Sequence, residues 1–125
     1  RVLGAVWWTP AGPSSDLSTA PGHLQGPEGS ELGQTVASLD LDGDGYSDVV
    51  AGAPAYGDGG AVAIWYGPAL GERSEPDAWL VGPAGAHAGV GLHLADLTGD
   101  GVVDVLVGGP GTDGHGAVWV VSSPP

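Results

Sequence analysis

Asp40-Leu41-Asp42-Gly43-Asp44-Gly45-Tyr46-Ser47-Asp48 returns 56 residues later as Asp96-Leu97-Thr98-Gly99-Asp100-Gly101-Val102-Val103-Asp104. Oxygen-bearing side chains stand at positions 1, 3, 5 and 9 of both stretches, with Gly at 4 and 6. A hard dication such as Ca2+ takes about six to eight oxygens at about 2.3–2.6 Å. Alternate side chains on a curling loop converge on one centre, Gly at position 6 permits the sharp bend, and position 7 can add its backbone carbonyl. The expected ligands are therefore Asp40, Asp42, Asp44, the Tyr46 carbonyl and Asp48 in the first loop. In the second they are Asp96, Thr98, Asp100, the Val102 carbonyl and Asp104. Two Ca2+ sites are expected, the first tighter, because Thr98 replaces an Asp and removes one charge.

The flanks decide what holds these loops. An EF-hand loop needs a bidentate Glu at position 12 and a helix on each side. Position 12 here is Ala51 or Val107, and the run Val49-Val50-Ala51 favours a strand. The loops are therefore expected between strands. Asp and Gly also suit metal-free turns, but four carboxylates gathered without a cation repel one another.

Further out, residues 24–66 align with 80–122 without a gap. Identities include Leu24/Leu80, Pro27/Pro83, Gly33/Gly89, Asp48/Asp104, Pro54/Pro110, and Gly60-Ala61-Val62 with Gly116-Ala117-Val118. Gly4-Ala5-Val6 starts a third, partial copy one period upstream. Each period reads as four short strands. The first is expected at 35–39 and 90–95, the second at 48–51 and 104–107. The third is expected at 61–66, 117–121 and 5–8. The fourth is expected at 78–81, with a weaker counterpart around 23–25. Second and third strands are apolar on both faces, as in Val118-Trp119-Val120-Val121, so both faces must be covered. Four strands per period, stacked sheet on sheet, are the mark of propeller blades. The expected fold is all-β: blades of four antiparallel strands, about two and a quarter 56-residue repeats. The division is a partial blade at 1–29, a complete blade at 30–82 and a partial blade at 83–125. A propeller closes with roughly four to eight blades. The chain is thus expected to be an excerpt of a longer protein or a protomer that completes its blades from neighbours.

Composition narrows the function. The chain holds 25 Gly and 11 Pro among 42% hydrophobic residues, the balance of short apolar runs cut by tight turns. Its net charge is −13, with two Lys+Arg, both of them Arg. Seven of its 15 carboxylates fall in the two nine-residue loops. A chain this acidic does not track a phosphate backbone, which argues against nucleic acid and anionic membranes as partners. Cys is absent, excluding disulfides and thiolate chemistry; Asn is absent, excluding N-glycosylation. No apolar run reaches the length of a membrane span. Arg1 reads as a processed, excised or artificially chosen start.

These residues resemble the FG-GAP repeat, the blade unit of integrin alpha-subunit propellers. The Gly of the family's "FG" pair, seven residues before the first calcium Asp, is matched by Gly33 and Gly89; "GAP" is matched by Gly52-Ala53-Pro54 and, degraded, by Gly108-Gly109-Pro110. The Phe of "FG" is Leu32 in one copy and Ala88 in the other, so packing between blades must rest on Trp and aliphatics. The resemblance covers about residues 24–122. It implies the same calcium ligands and partners on the face opposite the calcium hairpins, here loops 54–59 and 110–115 and links 27–32 and 83–88.

Of five Trp, Trp7, Trp65 and Trp119 fall on third strands and are expected in packing; Trp8 and Trp79 could stack on sugars. His23, His87, His93 and His115 share no ligand-like spacing and read as surface or strand residues, while Asp58 and Asp113 read as turn residues. The Pro/Ser/Thr-rich stretch 9–22 reads as an exposed loop open to O-glycosylation. No nucleophile elbow, phosphate loop or Ser/His/Asp set is present. The function expected is a non-enzymatic, calcium-stabilised propeller module of a secreted or cell-surface protein, serving adhesion or protein interaction. The alternatives are a protomer that self-assembles into a ring or filament, and a carbohydrate-binding accessory domain.

Overall fold

The computed structural model describes residues 3–9, 16–68, 71–111 and 114–122. Arg1, residues 10–15 of the Pro/Ser/Thr-rich stretch, and Asp113 with its neighbour in loop 110–115 lie outside the described residues. The described chain is all-β. Its strands are β1 (Leu3–Trp8), β2 (Gly22–Glu28), β3 (Val36–Leu39), β4 (Asp48–Ala53), β5 (Ala61–Trp65), β6 (Gly71–Arg73), β7 (Ala78–Val81), β8 (Gly91–Ala95), β9 (Asp104–Gly109) and β10 (Ala117–Ser122). A single 3-10 turn, Leu17–Thr19, precedes β2.

The strands form three sheets, ordered β1-β2-β6, β3-β4-β5-β7 and β10-β9-β8. The sequence repeat is also a repeat of register. Val36 faces Ala51 in the middle sheet and Leu92 faces Val107 in the last. Val62 faces Leu80 in the middle sheet, and Val6 faces Leu24 in the first. Strand boundaries move by at most two residues from those expected, save in β2, which runs Gly22–Glu28 because β1 pairs with it from Trp8 opposite Gly22 to Leu3 opposite Glu28, while β6 adds a second partner at Gly22–Leu24.

Strand β6 was not expected. Gly71-Glu72-Arg73 carries no apolar alternation to announce it, yet it pairs with β2 in parallel, Gly22 opposite Gly71. It leaves the β5–β7 connection to join the first sheet, and Arg73 then donates to Asp77 at 2.8 Å.

Period-two alternation puts the middle sheet between two cores. Val50, Val62 and Ile64 pack with Val105 and Val107 of the last sheet, joined by Leu41 and Ala88. Ala51, Ala53, Ala63 and Trp65 on the opposite face pack with Leu24 of the first sheet and with Leu32. Strand β5 is buried along its whole length. Leu32 and Ala88 therefore fill one core each. Of the tryptophans expected in packing, Trp65 is wholly buried and Trp119 packs at a core edge, but Trp7 is 45% exposed and stacks on His23.

One glycine pair sets the sheet-to-sheet approach. Gly33 and Gly89 have φ of 98° and 100°. A Cβ on either would stand 2.5 Å from a carbonyl oxygen, of Ala5 and Ala61 respectively. Only glycine supplies both the conformation and the space. Thr35 Oγ1 adds a hydrogen bond across the same junction, donating to the Gly89 carbonyl at 2.9 Å.

Candidate metal centre

Both aspartate loops are hairpins, β3 to β4 and β8 to β9, as their flanking Val-rich runs require. Their first carboxylates build the turn. Asp40 accepts from the amides of Gly43 at 2.8 Å and Gly45 at 2.9 Å. Asp96 accepts from Gly99 and Gly101, both at 2.8 Å. The fifth positions repeat as well: Asp44 accepts from Tyr46 and Asp100 from Val102, each at 2.9 Å. The ninth positions, Asp48 and Asp104, are buried at the start of a strand and reach back across the loop. Asp48 accepts from the Leu41 amide at 2.7 Å, Asp104 from the Leu97 amide at 2.8 Å and the Thr98 amide at 3.0 Å.

In the first loop one carboxylate oxygen each from Asp40, Asp42 and Asp48 lies within 4.8 Å of the other two. Oxygens that share a cation at about 2.3–2.6 Å stand at most about 5 Å apart, so this donor set fits a hard dication. Asp44 lies outside that group, turned to the Tyr46 amide. Tyr46 itself is exposed. In the second loop Asp96, Asp100 and Asp104 form no comparable group among the described residues, and Thr98 brings no charge.

The electrostatics separate the loops further. The Gly45 amide does most to hold the Asp40 carboxyl below the usual carboxylate range; burial opposes it and the Gly43 amide reinforces it. Burial pushes the Asp42 carboxyl up, and the charges of Asp48 and Asp44 push the same way, against the Asp44 amide. That is the repulsion a cation would relieve. The Thr98 amide holds Asp104 low, against burial and with help from the Leu97 amide.

One partner was invisible in the sequence. The second oxygen of Asp48 accepts from the Gly67 amide at 2.6 Å, just past β5. Gly67 lies 19 residues away and its repeat counterpart is Ser123, so no identity marks it. The corresponding oxygen of Asp104 is buried without a partner among the described residues. Elsewhere, Trp8 is exposed, and Trp79 has one face covered by the Tyr56 ring at 4.2 Å between centroids.

A family model of the FG-GAP-like repeat matches residues 40–107, which run from the first aspartate loop to the heart of β9. The chain belongs to the FG-GAP-like repeat family. Its FG-GAP-like segments are similar to integrin alpha chains. Integrin alpha-PS5 of Drosophila melanogaster is 38% identical over 94 residues, which cover 68% of this chain and 9% of that one. Integrin alpha-3 of Mus musculus is 31% identical over 129 residues, 97% of this chain and 12% of that one. Integrin alpha-5 of Xenopus laevis is 39% identical over 95 residues, 69% of this chain and 9% of that one. The chain thus spans about a tenth of the length of these relatives. No helix among the described residues is long and apolar enough to cross a membrane.

Proposed function

We propose that these FG-GAP-like repeats are calcium-stapled propeller blades of a secreted or cell-surface protein, used for adhesion or protein interaction and not for catalysis. The reading takes blades at 1–29, 30–82 and 83–125. Asp40, Asp42, Asp44, Asp48 and the Tyr46 carbonyl would hold one Ca2+; Asp96, Thr98, Asp100, Asp104 and the Val102 carbonyl would hold a second, more weakly. Bound Ca2+ would supply positive charge to the carboxylate clusters and so lock the hairpins that set β4 and β9. The observation that carries the reading is the convergence of Asp40, Asp42 and Asp48 within 4.8 Å in a strand-to-strand hairpin. Likeness to integrin alpha chains supports the extracellular setting and a protein partner met on loops 54–59 and 110–115 and links 27–32 and 83–88.

Chelation tests it. At free Ca2+ a hundredfold above the dissociation constant, binding adds about 2.7 kcal/mol per site. EDTA should lower the melting temperature well beyond a salt-matched control, and excess Ca2+ should restore it. An unchanged melting temperature would remove the metal assignment.

A second reading, self-association, is favoured by the outer face of the last sheet. Val118 is 69% exposed and Val120 46%, whereas their counterparts Val62 and Ile64 are buried against the next sheet. A further sheet of the same kind, from another copy, would cover them. Sedimentation of the purified chain decides: a folded monomer at high concentration excludes it, and Val118→Lys should abolish any oligomer seen.

A further inference from the structure

The chain holds five Asp-Gly dipeptides: Asp42-Gly43, Asp44-Gly45, Asp58-Gly59, Asp100-Gly101 and Asp113-Gly114. Such a dipeptide is open to a reaction of the main chain with itself. The glycine nitrogen can attack Cγ of the preceding aspartic acid, because the glycine has no Cβ to stand in the way. A hydrogen bond from the glycine amide opposes the attack, since it engages the nitrogen and fixes the peptide.

Three of the dipeptides are protected in this way. The Gly43 amide donates to Asp40 at 2.8 Å, the Gly45 amide to Asp40 at 2.9 Å and the Gly101 amide to Asp96 at 2.8 Å. Their aspartates are engaged too. Asp42 accepts from the Asp44 amide at 3.4 Å, and Asp44 and Asp100 accept from the Tyr46 and Val102 amides at 2.9 Å. Asp113 lies outside the described residues. Asp58-Gly59, in the β4–β5 loop, differs. Asp58 is exposed. Neither its carboxylate nor the Gly59 amide makes a hydrogen bond among the described residues.

Packing keeps the vulnerable dipeptide in place. A Cβ on Gly59 would run into the carbonyl oxygens of Gly82 and Pro83, so only glycine fits. The same two residues tie the loop to link 83–88. The Asp58 carbonyl accepts from the Gly85 amide at 2.9 Å and the Gly59 carbonyl from the Ala88 amide at 2.8 Å. Ala88 in turn is buried in the core between the middle and last sheets.

We infer that Asp58 is a modification site, at which the folded chain converts its own aspartate to isoaspartate. The Gly59 nitrogen bonds to Cγ of Asp58 in its acid form. The acid hydroxyl leaves as water with the amide proton, and a five-membered succinimide remains. Water then opens one of the two ring carbonyls. Opening at the side-chain carbonyl restores Asp58; opening at the main-chain carbonyl gives isoaspartate of the same composition. The main chain then runs through Cγ and is one carbon longer, and the oxygen that accepted from Gly85 belongs to a free carboxylate. With no room beside Gly59, the added carbon loosens the loop from link 83–88. Neither calcium nor a partner takes part, so this site stands or falls apart from the interaction-module reading.

The full chain is aged for weeks at neutral pH and body temperature at fixed Ca2+, and isoaspartate is located by tandem mass spectrometry of its peptides. It should accumulate at Asp58 several-fold faster than at Asp42, Asp44 or Asp100. In denaturant, where the protecting hydrogen bonds are gone, the four should react at similar rates. Asp58→Glu keeps the charge but would have to close a six-membered ring, and it should stop the conversion at this position. The melting temperature of the parent chain should fall by a few degrees on ageing, and that of Asp58→Glu by less. A rate at Asp58 no greater than at the other three overturns the proposal. So does an equal lead of Asp58 in denaturant, which would trace the reaction to neighbouring residues and not to the fold. An equal fall in melting temperature for Asp58→Glu overturns the loosening of link 83–88.

Discussion

The two aspartate loops share a backbone and differ in charge. Asp40 and Asp96 take the same pair of glycine amides, and Asp44 and Asp100 the same position-seven amide. Asp48 and Asp104 reach back to equivalent amides, of Leu41 and Leu97. Yet only the first loop gathers three carboxylates within 4.8 Å among the described residues. The turn is thus made by hydrogen bonds at positions 1, 5 and 9, whereas crowding of charge depends on position 3, where Asp42 stands in one loop and Thr98 in the other. The scaffold and the cation grip are separable properties of one motif.

The largest expected effect concerns the scaffold. Asp48 is fully buried and accepts from Leu41 and from Gly67. Asp48→Ala would strand both amides, at a cost of about 2–4 kcal/mol. In a chain of this length that is roughly a 10 °C fall in melting temperature. Calcium should restore little of it, since the hairpin loses its tie to the end of β5. A melting temperature that drops by no more than that of Asp44→Ala would show that position 9 is not what holds the loop.

Next comes the grip. Thr98→Asp should make the second loop resemble the first, raising its calcium affinity about tenfold if one more carboxylate is worth about 1.4 kcal/mol. The same change should cost the chelated protein stability, through repulsion from Asp100 and Asp104. Asp44→Ala should weaken calorimetric Ca2+ binding more than Thr98→Ala; the reverse order would mean that the two loops are ranked wrongly.

The residues show why some of this is legible in sequence and some is not. Strands β4, β5, β9 and β10 are legible because Val-rich runs can only be buried on both faces or left half wet, and Val62 against Val118 shows both outcomes at one repeat position. The turns are legible because Gly43, Gly45, Gly99 and Gly101 all require positive φ. Strand β6 is not legible: three residues with no apolar pattern gain their place only from the free edge of β2. Trp7 and Trp65 both sit on third strands, but Trp65 faces a second sheet and Trp7 does not, a distinction that depends on neighbours absent from the local pattern. Gly67 escapes for the same reason, since its role is to complete a carboxylate 19 residues back.

The smallest effect separates the loops by acid. With calcium chelated, Asp104 is held below the ordinary carboxylate value of about 3.9. The unfolded chain then takes up the proton first as pH falls. Asp104 therefore contributes stability that is present above that value and lost as pH drops toward its depressed native one. Asp42 is shifted the other way, chiefly by burial and then by the charges of Asp48 and Asp44. The folded loop takes up that proton before the unfolded chain does, so ionised Asp42 costs stability once pH rises past its native value. Asp104→Asn should lower the metal-free melting temperature at neutral pH, with the loss shrinking below about pH 4. Asp42→Asn should raise it at neutral pH, with the gain vanishing in acid. If both variants move in the same direction across the titration, repulsion at position 3 is not what distinguishes the first loop from the second.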